Sequence, residues 1–304
     1  GEKTGTAAKA QEKQPVQDGK ESSVARIQVT DMAGNEIALD EPVKSIVAIN
    51  PADCEVLFDI GAADLLVGRG EYCDYPAEAL EIECVQADDK IDLARVIKLK
   101  PEILVVNSTA LTEEEARAVT AAGIRIVISD PKVIEEIYTA IFNLAELTGK
   151  VEEAEEILDH MMDTFDALRE AAKESSSPED KKSIYFEISP LKFGLWTAGK
   201  GTFMNEIAEM LNLKNIFSDK TGYKEVTEKE VTGRNPDYIV TVAKAIGEGP
   251  TPEEEILTRQ GWEYVNAIYF EAILNMPDSE LTRPVPRLAD AAREIFNYIY
   301  NGIV

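Results

Sequence analysis

The chain has 304 residues, enough for a sizeable core in one large domain or two lobes. Its 57 acidic and 31 basic side chains give a formal net charge of −26, and such a surface repels phosphate backbones, which argues against nucleic-acid binding. No apolar run approaches the ~18 residues of a membrane-spanning helix. The hydrophobic fraction of 44% is typical of a globular protein.

Residues 1–23 differ in composition from the rest of the chain. Val16 is their one large apolar side chain, so this segment cannot bury enough apolar area to offset the entropy of ordering it. We therefore expect a disordered tether, with a cloning remnant as the alternative. No secretion signal precedes the segment, so export requires a signal that has already been removed.

From residue 44 onward, short apolar runs alternate with helical patterns. The runs predicted as strands are KSIVAI (44–49), DLLVGRG (64–70), PEILVVN (101–107) and IRIVIS (124–129). The stretches predicted as helices are ADCEVLFDIGA (52–62), DLARVIKLK (92–100) and EEEARAVTAAG (113–123). This alternation predicts parallel strands joined by right-handed crossovers.

Residues 133–175 have apolar side chains at helical spacing throughout, with a break or bend expected at Gly149. At 1.5 Å per residue the segment is up to ~60 Å long, too long for a simple crossover helix. After a polar turn at 175–182 the alternation resumes, at SIYFEI (183–188), TFMNEIAEMLNL (202–213), DYIVTVA (237–243) and RLADAAREIFNYIYN (287–301).

The two halves of the chain resemble each other. RVIKLKPEILVV (95–106) and EVTGRNPDYIVT (230–241) share a helix, a Pro-acidic step and a buried strand. We therefore predict an α/β protein of two Rossmann-like lobes with parallel sheets, joined by one long backbone helix. The expected boundaries are 24–134 for the N-terminal lobe, 135–175 for the connecting helix and 176–304 for the C-terminal lobe. A cleft between lobes is where such folds bind ligands.

The stretch GLWTAGKG (194–201) is one residue short of the phosphate-binding motif G-x-x-x-x-G-K-[ST]. Gly201 occupies the position of the hydroxyl that would hold Mg²⁺, and no later strand ends in Asp. We therefore reject nucleotide binding. The glycines instead predict a tight turn close to a bound ligand, beside an aromatic wall formed by Trp196.

The cysteines and the single histidine do not favour an enzyme. Cys54, Cys73 and Cys84 form no C-x-x-C pair and no metal-binding spacing, and they are either idle thiols or include a Cys73–Cys84 disulfide. His160 lies in a helical pattern with no nucleophile signature nearby, so hydrolytic chemistry is not expected.

Six motifs together carry a family resemblance: EVLFDIGAADLLVG (55–68), YCDYP (72–76), VIKLKPEILVV (96–106), GLWTAGKGTFMNEI (194–207), RNPDYIV (234–240) and RPVPRLADAA (283–292). From about residue 26 onward, the chain resembles the substrate-binding proteins of ABC importers for iron complexes, haem and cobalamin. The resemblance implies a non-enzymatic, extracytoplasmic, monomeric carrier without a cofactor or metal site. It also implies a lipoprotein that residues 1–23 anchor at the cell surface.

The resemblance implies six ligand-binding positions: Tyr72, Asp88, Trp196, Tyr223, Arg283 and Arg287. The three aromatic rings would hold a bulky chelate, and the arginines would pair with ligand carboxylates or anionic iron-chelating groups. Asp88 falls where the cobalamin-binding member has a tryptophan, which counts against cobalamin itself. The alternatives are plain packing for the aromatics and, for the arginines, capping of the last helix or pairing with the chain's own carboxylates.

Members of this family usually present a glutamate on each lobe, seven residues before the Pro-acidic step, which grips arginines of the permease. Ala94 and Lys229 stand at those positions here, so the resemblance implies altered permease docking. Asp92, Glu228 and Glu230 are the neighbouring carboxylates that could substitute. An altered permease, a different partner and deliberate mutation remain open.

The sequence therefore predicts a binding module that captures an iron complex, a siderophore-type chelate, and delivers it to an ABC permease. Cobalamin or another corrinoid is the second candidate ligand and haem the third. A metal-dependent enzyme built on the same lobes is the alternative from a different class. It would need a cluster of ligands, such as the three cysteines converging on one metal.

Overall fold

The computed structural model describes residues 26–245, 247–276 and 278–302. The expected tether, residues 1–23, lies outside the described residues. Within the described part, none of the helices combines the length and the apolar composition needed to cross a membrane.

The N-terminal part begins with a hairpin and continues as a βα alternation. In chain order its elements are β1 (Ile27–Thr30), β2 (Glu36–Leu39), β3 (Ile46–Ala48), α1 (Pro51–Asp59), β4 (Leu66–Arg69), β5 (Gln86–Ala87), β6 (Lys90–Ile91), α2 (Leu93–Leu99), β7 (Ile103–Val106), α3 (Glu113–Ala121) and β8 (Arg125–Ile128). Two helices follow, α4 (Ile134–Thr148) and α5 (Val151–Ser175).

The C-terminal part repeats the alternation with shorter helices. Its elements are β9 (Ser183–Glu187), β10 (Trp196–Ala198), α6 (Phe203–Met210), β11 (Lys214–Asn215), β12 (Tyr223–Glu225), α7 (Glu228–Arg234), β13 (Tyr238–Thr241), α8 (Pro252–Leu257), α9 (Asn266–Tyr269), β14 (Ile273–Asn275), α10 (Asp278–Thr282) and α11 (Arg287–Tyr300).

Each lobe is built on one four-stranded parallel sheet, as the alternation predicts. The strand order is β4-β3-β7-β8 in the N-terminal lobe and β11-β9-β13-β14 in the C-terminal lobe. The predicted fold class is therefore confirmed. The small antiparallel pairs β1–β2, β5–β6 and β10–β12 were not predicted, since runs of two to four residues give little periodic signal.

Both sheets turn one face toward a shared core. In β3 and β7, Ile46 and Val105 belong to a cluster that also contains Phe165 of α5 and Val240 of β13. Val47, the neighbour of Ile46, points to a separate cluster on the outer face of the N-terminal sheet. One continuous core therefore runs from the first sheet across α5 into the second.

The expected single helix over 135–175 is two helices. Gly149 ends α4 in the left-handed conformation, with φ of +73°, and its N–H group donates to the Glu146 carbonyl. The helix that bridges the lobes is α5 alone, whose 25 residues span ~38 Å rather than ~60 Å. The sequence predicted the break but overestimated the length of the connection.

The internal duplication extends to backbone detail. Lys100 caps the C-terminus of α2 and Asn235 caps that of α7, and both of these residues are left-handed and precede a Pro-acidic step. The N–H of Glu102 then donates to Ser45 Oγ at 3.0 Å, and the N–H of Asp237 donates to Ser183 Oγ at 2.9 Å. The two lobes therefore use the same connection to enter β7 and β13.

Candidate ligand-binding cleft

A cavity of about 340 Å³ lies where the two lobes meet. The N-terminal lobe contributes residues that follow its strands: Asn50 after β3, Asn107 after β7 and Ser129 after β8. The C-terminal lobe contributes the turn 201–203 before α6, the ring of Tyr223 and the segment 282–284. The carboxyl ends of parallel strands meet at one sheet edge, and that is where α/β folds bind ligands.

The floor of this cleft is a hydrogen-bonded group around Asp53, in the first turn of α1. Asp53 is 4% exposed and accepts from the Ser129 hydroxyl at 2.7 Å and from the Asn50 amide at 2.8 Å. Burial raises the pKa of Asp53 to about 6, against the lowering effect of these two hydrogen bonds. The carboxyl group is therefore largely ionised at neutral pH.

A second carboxylate, Asp130, lines the same side of the cleft. Lys132 Nζ lies 2.9 Å from Asp130 Oδ1, and the Ser108 hydroxyl donates to Oδ2. Neither Asp53 nor Asp130 was predicted as a site residue. The signal available was that Asp130 comes two residues after β8 and that Asp53 lies in the first turn of the helix that follows β3.

Trp196 and Tyr223 lie on one two-stranded antiparallel sheet, β10–β12, although 26 residues that include α6 and β11 separate them in sequence. Trp196 is opposite Glu225 and Ala198 is opposite Tyr223, so both rings are on the same face of this sheet. They are 39% and 43% exposed, and Tyr223 lines the cavity, whereas the described lining does not include Trp196. The rings of Trp196 and Tyr223 are therefore not packed in the core. Contact of these rings with a ligand stays a prediction.

Arg283 and Arg287 pair with the protein's own carboxylates. Arg287 makes two hydrogen bonds, of 2.7 and 2.8 Å, to the fully buried Glu55 of α1, and it lies 3.6 Å from the centre of the Tyr75 ring. Arg283 Nη2 donates to Asp74 at 2.8 Å. The alternative reading, pairing with the chain's carboxylates, therefore describes both arginines. Arg283 also lines the cavity, whereas the described lining does not include Arg287.

Tyr72 and Asp88 lie at the N-terminal rim and outside the described cavity lining. Tyr72 is 54% exposed, and its hydroxyl donates to Asp89 Oδ1 at 2.8 Å, a hydrogen bond that raises the pKa of Tyr72 to about 12. Asp88 is exposed in the turn between β5 and β6, with φ of +49°. The carbonyl of Tyr72 accepts from Arg283 at 3.1 Å, which ties this rim to the C-terminal lobe.

All three cysteines are free thiols, so the alternative of a Cys73–Cys84 disulfide is not realised. Cys73 is buried and hydrogen bonded to Cys54, which with burial raises the pKa of the Cys73 thiol. Cys84 is exposed, and its thiol donates to the Gln86 carbonyl. His160 lies on the exposed face of α5, 3.9 Å from Asp290, as expected for a residue on a helix surface.

The candidate docking positions lie at the N-termini of α2 and α7. Ala94 and Lys229 are each the second residue of their helix. The neighbouring carboxylates already have partners. Asp92 accepts from the Arg95 N–H as the N-cap of α2, Glu228 accepts from the Trp262 ring N–H at 3.0 Å, and Glu230 caps Thr227 and pairs with Lys220 at 3.2 Å.

Comparison with known proteins places this architecture in a family. The periplasmic binding protein model matches residues 46–278, most of the chain, and the chain belongs to that family. It is 27% identical to an uncharacterized ABC transporter substrate-binding lipoprotein, YvrC, of Bacillus subtilis, over 92% of this chain and 87% of that protein. It is also 27% identical to the vitamin B12-binding protein of Salmonella paratyphi A, over 83% of this chain and 88% of that protein.

The fold also resembles that of a solved solute-binding protein. A possible iron-binding periplasmic solute-binding protein from Staphylococcus epidermidis superposes with a TM-score of 0.69 at 25% identity, covering 86% of this chain and all of the other. The protein is therefore a substrate-binding protein of the ABC-importer type.

Proposed function

We propose that this protein captures a ferric, siderophore-type chelate in the inter-lobe cleft and delivers it to an ABC permease. In this proposal it acts as a monomer outside the cytoplasm, anchored at the cell surface as a lipoprotein. The observation that carries the proposal is the cleft itself, where Tyr223 lines a cavity with a polar floor and Trp196 lies on the same face of the β10–β12 sheet. Aromatic faces with a few fixed polar groups suit a bulky chelate.

The axial ligation of haem keeps haem behind an iron chelate as the proposed cargo. Haem uses an axial His, Tyr or Met. His160 lies on the exposed face of α5, away from the cleft lining. Tyr72 and Tyr223 remain, and the Tyr72 hydroxyl is already hydrogen bonded to Asp89.

The enzyme alternative receives no support from the described residues. They contain no group of three or more His, Cys, Asp or Glu side chains placed to hold a metal ion. The convergence of three cysteines that would revive this alternative does not occur, because Cys54 and Cys73 are buried together and Cys84 is exposed.

We propose that docking to the permease is altered, because Ala94 and Lys229 stand where family members usually present a glutamate on each lobe. Asp92, Glu228 and Glu230 make intramolecular hydrogen bonds, so they would have to exchange these partners to bind permease arginines. Charges at an interface chiefly set encounter rate and partner choice, so this change redirects docking rather than ligand capture.

Ligand titration followed by tryptophan fluorescence tests the proposal. The chain has two tryptophans, the buried Trp262 and Trp196, which shares a face with the cleft residue Tyr223 but is outside the described cavity lining. A Trp262→Phe variant reports from Trp196 alone, and Trp196→Phe is its matched control. We expect saturable quenching of the first variant, and not of the second, by a ferric chelate at micromolar concentration. Quenching by haemin or cobalamin, and not by a ferric chelate, would show that the cargo is not an iron chelate of the siderophore type.

A substitution at Tyr223 tests whether the aromatic face contributes to ligand binding. We expect Tyr223→Ala to weaken chelate binding about tenfold, because it removes a ring contact worth ~1.5 kcal/mol beyond the buried area. Tyr264, which is 94% exposed and is not part of the cleft lining, gives the control variant Tyr264→Ala. Equal affinities of the two variants for the chelate would show that Tyr223 does not contact it.

A further inference from the structure

The cations that line the cleft are already balanced within the protein. Among the described residues of the lining, the charged ones are Asp53, Asp130, Lys132 and Arg283. Lys132 lies 2.9 Å from Asp130, and Arg283 lies 2.8 Å from Asp74. Arg283 Nη1 is also 3.7 Å from the buried carboxylate of Glu55, an ion pair without a hydrogen bond, and this buried nitrogen has no hydrogen-bond partner among the described residues. Both cations of this lining therefore face a carboxylate of the same chain.

Asp53 has a different environment. The two hydrogen bonds that it accepts come from neutral groups, the Ser129 hydroxyl and the Asn50 amide. The charge that acts on it most strongly is that of Asp130, which has the same sign. A carboxylate has about four acceptor sites, so Asp53 can accept further hydrogen bonds from a molecule in the cleft. The floor of the cleft is therefore a carboxylate that is largely ionised at neutral pH and has remaining acceptor capacity.

We infer that the cleft selects a ferric chelate without net negative charge, and that Asp53 accepts a hydrogen bond from a protonated amine of that chelate. The inference rests on the proposed function, that the cargo is a ferric chelate. A ferric ion held by three hydroxamates is uncharged overall, whereas one held by three catecholates is a trianion. Asp53 repels the trianion, and the cations of the lining, Lys132 and Arg283, already face the carboxylates of Asp130 and Asp74. A hydroxamate with a pendant ammonium group gains a charge-assisted hydrogen bond.

Two matched ligand comparisons test the inference on the Trp262→Phe protein at neutral pH. The first compares ferrioxamine B, a ferric trihydroxamate with a pendant ammonium, with its N-acetylated form, which lacks that charge. The second compares ferrioxamine B with a ferric tricatecholate. We expect ferrioxamine B to bind at least about tenfold more tightly than either, since a charge-assisted hydrogen bond is worth ~1.5 kcal/mol or more.

Asp53→Asn locates the source of this preference. We expect the variant to bind ferrioxamine B and its N-acetylated form equally, while Asp163→Asn, the same change at an exposed position of α5, keeps the preference. A tricatecholate that binds more tightly than ferrioxamine B would overturn the inference, as would an ammonium preference that survives in Asp53→Asn. If ferric chelates bind without regard to charge, this inference alone fails. If only haemin or cobalamin binds, the proposed function fails with it.

Discussion

Asp53 has a carboxyl group that folding makes harder to ionise. The side chain is almost fully buried at the start of α1, and its pKa rises from 3.8 to about 6. The protonated form is therefore favoured in the folded state relative to the unfolded chain. The resulting stabilisation is fully present below the unfolded pKa of 3.8 and is lost as the pH rises through about 6.

Asp53→Asn should remove this pH dependence. A shift of about two pKa units corresponds to roughly 3 kcal/mol. From about pH 4 to pH 7 the wild type should lose up to that amount of stability, and the variant should not. The free energy of unfolding of the variant should therefore rise relative to that of the wild type. Urea denaturation of both proteins across this range measures the difference. Asp163→Asn is the control, and a difference for Asp53→Asn that stays constant with pH would contradict the prediction.

At this scale the sequence predicted some site residues and not others. Tyr223 and Arg283 were selected through the family resemblance, and both line the cleft. The ion pair between Glu55 and Arg287 joins residues 232 positions apart, and no local pattern indicates such a contact. Asp53 was missed because a position in the first turn of α1 does not by itself indicate that the carboxyl group faces the cleft.

Helix boundaries were more predictable than side-chain partners. The glycine between α4 and α5 indicated a break because glycine adopts the left-handed conformation without a steric penalty. The four strands of the N-terminal sheet and the central strands β9 and β13 of the C-terminal sheet were predicted because they are continuous apolar runs bounded by turn residues, whereas the short outer strands β11 and β14 were not. The β10–β12 sheet, which places Trp196 and Tyr223 on one face, has three residues in each strand, too few for a periodic signal.

Gly149→Ala should destabilise the fold by about 2 kcal/mol. The residue has φ of +73°, which costs other residues ~1–2 kcal/mol, and an added Cβ would lie 3.0 Å from Cγ of Pro42. Gly34→Ala is the matched control, since Gly34 has φ of +86° and open space around the added Cβ. Urea denaturation should show the larger loss for Gly149→Ala. Equal losses would show that the contact with Pro42 has no weight.

On the scale of the whole molecule, Glu55 joins the lobes electrostatically. It lies in α1 of the N-terminal lobe, fully buried, and its partners Arg283 and Arg287 belong to the C-terminal lobe. Removal of one partner of a buried ion pair leaves charges without compensation. Arg283 also lines the cleft and donates to Asp74 of the N-terminal lobe.

Glu55→Gln should therefore lower the free energy of unfolding by about 3 kcal/mol, the lower end of the range for buried pairs, because Arg287 keeps some exposure. Glu41→Gln is the control, since Glu41 pairs with Lys44 at 3.3 Å on the open surface and should change stability by less than about 1 kcal/mol. Denaturant unfolding measures both variants. A loss for Glu55→Gln as small as that for Glu41→Gln would show that this ion pair does not stabilise the junction.

The shared core has a consequence for how cargo leaves. Spreading the lobes apart would expose apolar side chains around α5 to water, and the free-energy penalty grows with the area exposed. Departure by a hinge-like swing is therefore unfavourable for the isolated carrier. An acceptor that empties the cleft therefore has to supply binding energy of its own, by binding to the residues at the edges of the cleft.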